Sequence, residues 1–152
     1  MTKRYFEDFQ VGQVIEMGPR QVSREEIIRF AEKFDPQPFH VDEAAAKATM
    51  FGGLIASGWH TMSMTMRMMV DGFISDSRSL GSAGIDELRW LKPVRPDDVL
   101  HLRMEVTEVL PSKTKPDRGT VKSFYRLTNQ KGELVMTVKG SGMFGRRPGV
   151  VA

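Results

Sequence analysis

The chain contains no cysteine, which excludes disulfides, a thiolate nucleophile and cysteine-ligated zinc. Histidine is nearly as scarce. Its three copies form no His-x-x-x-His pair, so no metal site is expected. No apolar run is long enough for a membrane span. The opening Met1-Thr2-Lys3-Arg4-Tyr5-Phe6-Glu7-Asp8 lacks the apolar stretch of a secretory signal, and a cytoplasmic protein is expected. Charge of one sign is sparse too: 22 Lys and Arg against 19 Asp and Glu leave +3, scattered rather than striped. That argues against a nucleic-acid partner, while a mild positive charge suits an anionic small molecule such as coenzyme A. Repeats, linkers and low-complexity segments are absent. The 152 residues read as one domain, 1–152, with enough length to bury a core.

The apolar residues carry two periods, first helical and then alternating. Phe6, Phe9, Val11, Val14 and Ile15 surround Gly12 and lead into a brief strand near 13–17. Ser23 with Glu26 makes a capping box for a helix whose apolar face is Ile27, Ile28, Ala31 and Phe34. Asp42 is placed to cap a second, short helix through Ala48, and Ser57 to cap a third running to about Phe73. In that third helix Trp59, Met62, Met66, Met69 and Phe73 recur at three and four, with Met64 and Met68 on another face. Methionines of this kind fill core gaps and also line adaptable sites for alkyl chains. From residue 82 the period becomes two: Leu88 and Trp90; Leu100, Leu102, Met104 and Val106; Val121, Ser123, Tyr125 and Leu127; Leu134, Met136 and Val138. Helices first and antiparallel strands afterwards indicate an α+β protein with a helix packed on one face of a sheet.

Between the first two helices lies Phe34-Asp35-Pro36-Gln37-Pro38-Phe39-His40-Val41-Asp42. Each proline fixes its own φ and pushes the residue before it out of the helical region. Asp35 and Gln37 therefore cannot prolong the helix, and an extended, stiff loop is expected. A carboxylate and an imidazole held by such a loop can position and deprotonate a water. The same residues also suit ordinary loop and capping chemistry.

Phe30-Ala31, the Asp35-Pro36-Gln37-Pro38-Phe39-His40-Val41-Asp42 run and Ala46 together resemble the signature of the MaoC-like dehydratases, which include the R-specific enoyl-CoA hydratases. That signature is an aromatic-Ala pair, a spacer, Asp-x-Asn-Pro-x-His and a small residue beyond. Phe34 stands where the family has Gly, and Gln37 where it has Asn. The resemblance continues in Phe9-Gln10-Val11-Gly12, in the Phe51 to Gly58 segment, and in Arg89 to Asp98, where Asp97 replaces a Gly. It implies a hot-dog fold, an antiparallel sheet wrapped around one long helix. It further implies Asp35 and His40 as the catalytic pair and the Gly58 N–H as the donor to a thioester oxygen. The reaction implied is reversible hydration of a trans-2-enoyl-CoA to an (R)-3-hydroxyacyl-CoA. Coenzyme A enters only as part of the substrate, with no other cofactor, and the protein would be a homodimer or higher homo-oligomer joined sheet edge to sheet edge.

Candidate substrate-binding residues accompany that reading: Gln37, Phe51 and Gly53 in the matched stretches, Trp59, Met62 and Met66 for the acyl group, and Arg89, Lys92 and Arg95 for the CoA phosphates. Two rivals share the fold. Related thioesterases carry a carboxylate on the central helix, and no Asp or Glu lies between Gly58 and Val70. A non-catalytic acyl-CoA-binding subunit would not need both Asp35 and His40. What separates it from an enzyme is whether those side chains share one cleft beside the Gly58 N–H.

Overall fold

A computed structural model describes residues 3–150. After a single 3-10 turn at Phe6–Asp8, the elements in order are β1 (Val14–Gln21), α1 (Arg24–Phe34), α2 (Pro38–Val41), α3 (Glu43–Lys47), α4 (Gly58–Met69), a π-helical turn at Val70–Ile74, β2 (Ile85–Trp90), β3 (Val99–Pro111), β4 (Arg118–Thr128) and β5 (Leu134–Gly145). The five strands form one sheet in the order β1-β3-β4-β5-β2, each neighbour antiparallel. The sheet packs around α4 in the hot-dog arrangement. Among the described residues no helix is long and apolar enough to cross a membrane.

Alternation builds the core. Leu100, Leu102, Met104 and Val106 of β3 are at most 1% exposed, and Val121, Ser123, Tyr125 and Leu127 of β4 face the same interior. Each large side chain buried this way stabilises the fold by about 1.5–3 kcal/mol. β1 runs further than the brief strand expected. Gly18, at φ 104°, and the cis Gly18–Pro19 peptide interrupt its ladder with β3 between Met17 and Arg20, and pairing then resumes. Asp97 takes φ 71°, the left-handed region that Asp tolerates better than most residues, in place of the glycine of the resembled pattern.

The helix starts are those the caps specify. Ser23 Oγ accepts from Glu26 N while Glu26 Oε1 accepts from Ser23 N. Asp42 Oδ1 accepts from Ala44 N and Ala45 N. Two expected faces are corrected. Phe34 is 65% exposed and packs against Phe30, with ring centroids 5.1 Å apart and planes tilted by 50°, because Ile27 and Ala31 already fill the stripe of α1 that meets the core. In α4 the buried side is His60, Thr61, Met64, Thr65 and Met68, while Trp59 and Met66 are exposed. Thr61 Oγ1 donates to Ser57 O (3.3 Å) and Thr65 Oγ1 to Thr61 O (2.9 Å), so both threonines enter the core with their hydroxyls satisfied. Met62, Met69 and Phe73 of the expected stripe do pack against the core, so the correction is confined to Trp59 and Met66.

Candidate active site

α1 stops at Phe34 because Pro36 follows, and Asp35 closes it by donating its backbone N–H to Ala31 O at 2.8 Å. Asp35 and Gln37 are both non-helical, as the prolines require. The expectation of an extended loop as far as His40 is corrected: Pro38 is the first residue of a single helical turn, a position where its missing N–H costs nothing. That turn carries His40 inward until it is 4% exposed. His40 Nδ1 lies 2.8 Å from Ile55 O. A carbonyl only accepts, so Nδ1 carries a proton and Nε2 is the nitrogen presented to the site. Nε2 lies 3.2 Å from Asp35 Oδ2.

The carboxylate is held from three sides. Ser57 Oγ donates to Asp35 Oδ2 at 2.7 Å, Gln37 Nε2 donates to Oδ1 at 2.7 Å, and His40 faces Oδ2. Burial pushes the Asp35 pKa up, but the Ser57 and Gln37 hydrogen bonds and the His40 ring outweigh it, and the carboxyl sits below its ordinary value. Asp35 is therefore poised as a carboxylate. Gln37, where the resembled signature has Asn, reaches back two residues to make this bond.

Ser57 also caps α4, accepting from Trp59 N at 3.3 Å. Gly58 is the first residue of that helix, where a backbone N–H has no intrahelical acceptor and lies at the positive end of the dipole. Among the described residues no acceptor takes the Gly58 N–H. Asp35, His40 and Gly58 line a single open cavity of about 500 Å³ together with Gln37, Phe51 and Trp59, and with Lys92 at its margin. Across the site Trp90, the last residue of β2, donates its Nε1–H to Gly58 O at 2.9 Å.

A model of the MaoC like domain matches residues 8–125. The chain belongs to the MaoC-like family. It is similar to the crystal structure of the MaoC-like dehydratase from Rhodospirillum rubrum, with 42% identity and a TM-score of 0.88 over 95% of this chain and 98% of that one. It is 34% identical to the uncharacterized protein YdeM of Bacillus subtilis (strain 168), over 88% of this chain and 97% of YdeM. It is 30% identical to a 3-hydroxybutyryl-CoA dehydratase of Methylorubrum extorquens, over 73% of this chain and 69% of the relative.

Not every candidate residue of this MaoC-like chain falls in the cavity. Gly53 lies outside it, against the Arg95 guanidinium, whose Nη2 donates to Phe51 O and so fixes the loop. Arg89 points along the outside of β2, paired with Glu87 at 3.0 Å and 65% exposed. Met62 and Met66 line a second cavity of about 220 Å³, almost wholly apolar, with Met69, Phe73, Tyr125 and Val138. Lys92 is paired with Glu133. His60 is buried and stacked flat on Phe30 at 4.8 Å, and burial pushes its pKa down; His101 is on the exposed face of β3. Among the described residues no group of three His, Asp or Glu side chains could hold a metal ion.

Two residues that build the MaoC-like site escaped sequence reasoning. Ser57 was legible only as a helix cap, although it adjoins the candidate donor Gly58. Trp90 read as a strand residue, and nothing in the local sequence places it over the helix start.

Proposed function

We propose that this protein catalyses reversible hydration of a trans-2-enoyl-CoA to an (R)-3-hydroxyacyl-CoA. The observation that carries the reading is the 3.2 Å approach of His40 Nε2 to Asp35 Oδ2 within a cavity that also opens on the Gly58 N–H. A water held against this pair gives up a proton to it as its oxygen bonds to C3 of the enoyl group. Charge that develops on the thioester oxygen is met by the Gly58 N–H, and the α carbon then takes a proton from the pair. Preorganised donors of this kind are typically worth about 3–4 kcal/mol. The coupled Asp35 and His40 act as one proton reservoir, so the steps belong to the pair. The relative named as a 3-hydroxybutyryl-CoA dehydratase supports the same chemistry in reverse.

The thioester is assigned to the open cavity, the acyl tail to the apolar cavity along the same helix, and the CoA phosphates to Lys92 on the cavity wall, with Arg95 outside the lining beside Phe51. A homodimer joined along a sheet edge belongs to this reading: β1 and β2 are the edge strands, and Ile85 and Trp90 on β2 are exposed. A solution mass of one chain would remove the dimer from it. Convergence of Asp35, His40 and Gly58 favours an enzyme over a binding-only subunit, and the absence of Asp and Glu between Gly58 and Val70 disfavours a thioesterase.

The test is loss of enoyl-thioester absorbance when purified protein meets crotonyl-CoA or longer enoyl-CoAs, compared with Asp35→Asn and His40→Ala. Turnover that disappears in both folded variants supports the reading. No turnover on any enoyl-CoA rejects it, and release of free thiol would mean a thioesterase.

A further inference from the structure

Gly58 carries a puzzle that its helix-start role does not solve. Its φ is not in the left-handed region, so the backbone there does not call for glycine. The surroundings do. A Cβ built on Gly58 would lie 2.5 Å from Trp90 Cε2, 2.8 Å from Nε1 and 2.9 Å from Cζ2, closer than real Cβ contacts come. The indole of Trp90 thus rests directly on the Gly58 Cα. It also bonds to the same residue through Nε1–H to Gly58 O at 2.9 Å. The indole also packs in a T-shaped pair with Trp59, with centroids 5.3 Å apart and planes at 79°. β2 anchors Trp90 in turn, through its register with Met136 of β5.

The first peptide of a helix is usually a weak point, because its N–H is unpaired and helix ends fray. Here it is gripped from both sides. Ser57 O, the carbonyl of that peptide, accepts from Thr61 N, and Ser57 Oγ bonds Asp35; Trp90 packs against the Gly58 Cα that follows, and its N–H holds the carbonyl of the next peptide. What is left free is the N–H between them.

We propose that Trp90 is a positioning residue that fixes Gly58 through its Cα and its carbonyl, so that the N–H on the other side of that Cα is held ready for the thioester oxygen. The glycine at 58 is then required by the indole rather than by the substrate. The functional half of this inference rests on the hydratase reading; the structural half does not.

A two-by-two cycle of Gly58→Ala and Trp90→Ala, with Trp90→Phe beside it, tests both halves. Gly58→Ala alone should lower Tm by on the order of 5 °C, since the new methyl overpacks against the ring, whereas in the Trp90→Ala background it should change Tm by no more than about 1 °C. Equal losses in the two backgrounds overturn the clamp. For crotonyl-CoA hydration, Trp90→Ala should lower kcat by roughly tenfold or more with KM within about threefold, and Trp90→Phe, which keeps an aromatic ring but loses the N–H and part of the indole contact on Gly58, should fall between. An unchanged kcat with a raised KM would make Trp90 a substrate contact and overturn the positioning role. If the wild-type protein hydrates no enoyl-CoA, the hydratase reading falls, and the Tm cycle alone decides whether Trp90 holds the Gly58 peptide.

Discussion

The two cavities beside α4 share a helix and little else. The open one is lined by the Asp35 carboxylate, the His40 imidazole and Gly58 with its unpaired N–H, and the carboxylate lies within hydrogen-bond reach of both His40 and the Ser57 hydroxyl. The other is walled by methionine, phenylalanine, valine and glycine, with only hydroxyls for polarity. The first can direct a reaction but offers little grip on a hydrocarbon. The second can accept an alkyl chain but has no group to move a proton. The directional groups thus sit at the end of the helix, where backbone donors are free, and the non-directional surface along its flank.

If that division is real, substitutions in the two cavities should fail differently. The largest loss is expected for His40→Ala and Asp35→Asn, each lowering kcat/KM on crotonyl-CoA by on the order of 10²–10⁴, with cooperative unfolding retained by circular dichroism. A folded Asp35→Asn enzyme at near wild-type rate would show that the carboxylate is only structural.

Ser57→Ala should cost less, about tenfold in kcat, and it should also move the pH profile. Asp35 sits below its ordinary value partly because Ser57 donates to it, so activity that needs the carboxylate survives into more acidic solution in the wild type. Without the hydroxyl, the acidic limb of kcat/KM should shift to higher pH. The sign for stability follows from linkage. A depressed folded pKa contributes stability that is present above the unfolded value of 3.8 and is lost as pH falls through the folded value. Ser57→Ala should shrink that contribution. An acidic limb that stays in place would remove Ser57 from control of the carboxylate.

Met66→Trp probes the apolar cavity. It should reduce kcat/KM for an eight-carbon enoyl-CoA by roughly tenfold while leaving crotonyl-CoA within about twofold. Equal losses on both substrates would mean the two cavities are not separate in function. The smallest effect is expected from Glu133→Gln, which frees Lys92 at the margin. Exposed pairs of this kind are worth only about 0–1 kcal/mol, so Tm should barely move, and any change should appear as a modest fall in KM at low salt.

Much of this was written in the chain. Capping at Ser23, Asp42 and Ser57, the stop at Pro36 and the alternation in β3 and β4 are local signals, and local signals are what a sequence displays. The two prolines made a restricted stretch between Asp35 and His40 legible, whereas the choice of those two as a pair came from the resemblance to the MaoC-like signature. Where tertiary context decides, the reading went astray. The side of α4 that meets the sheet depends on threonines that hide their hydroxyls against the helix backbone, which no hydropathy letter records. The exposure of Phe34 follows from what Ile27 and Ala31 already occupy. Arg89 was expected to be free for a phosphate, but Glu87, two positions away, falls on the same face of β2 and pairs with it. Trp90 is 32 residues from Gly58, and only the folded sheet brings them together.

Ser57 has one hydroxyl and two obligations. Its oxygen accepts from the first turn of α4, and its hydrogen is donated to Asp35, so the helix start and the reactive carboxylate take their positions from the same atom. Changes made separately near either one should therefore fail to add, and substitutions around the helix start should depend on the state of the carboxylate. Efforts to stabilise this helix and efforts to retune its chemistry would meet at this position, and improvement of one would be read out as a change in the other.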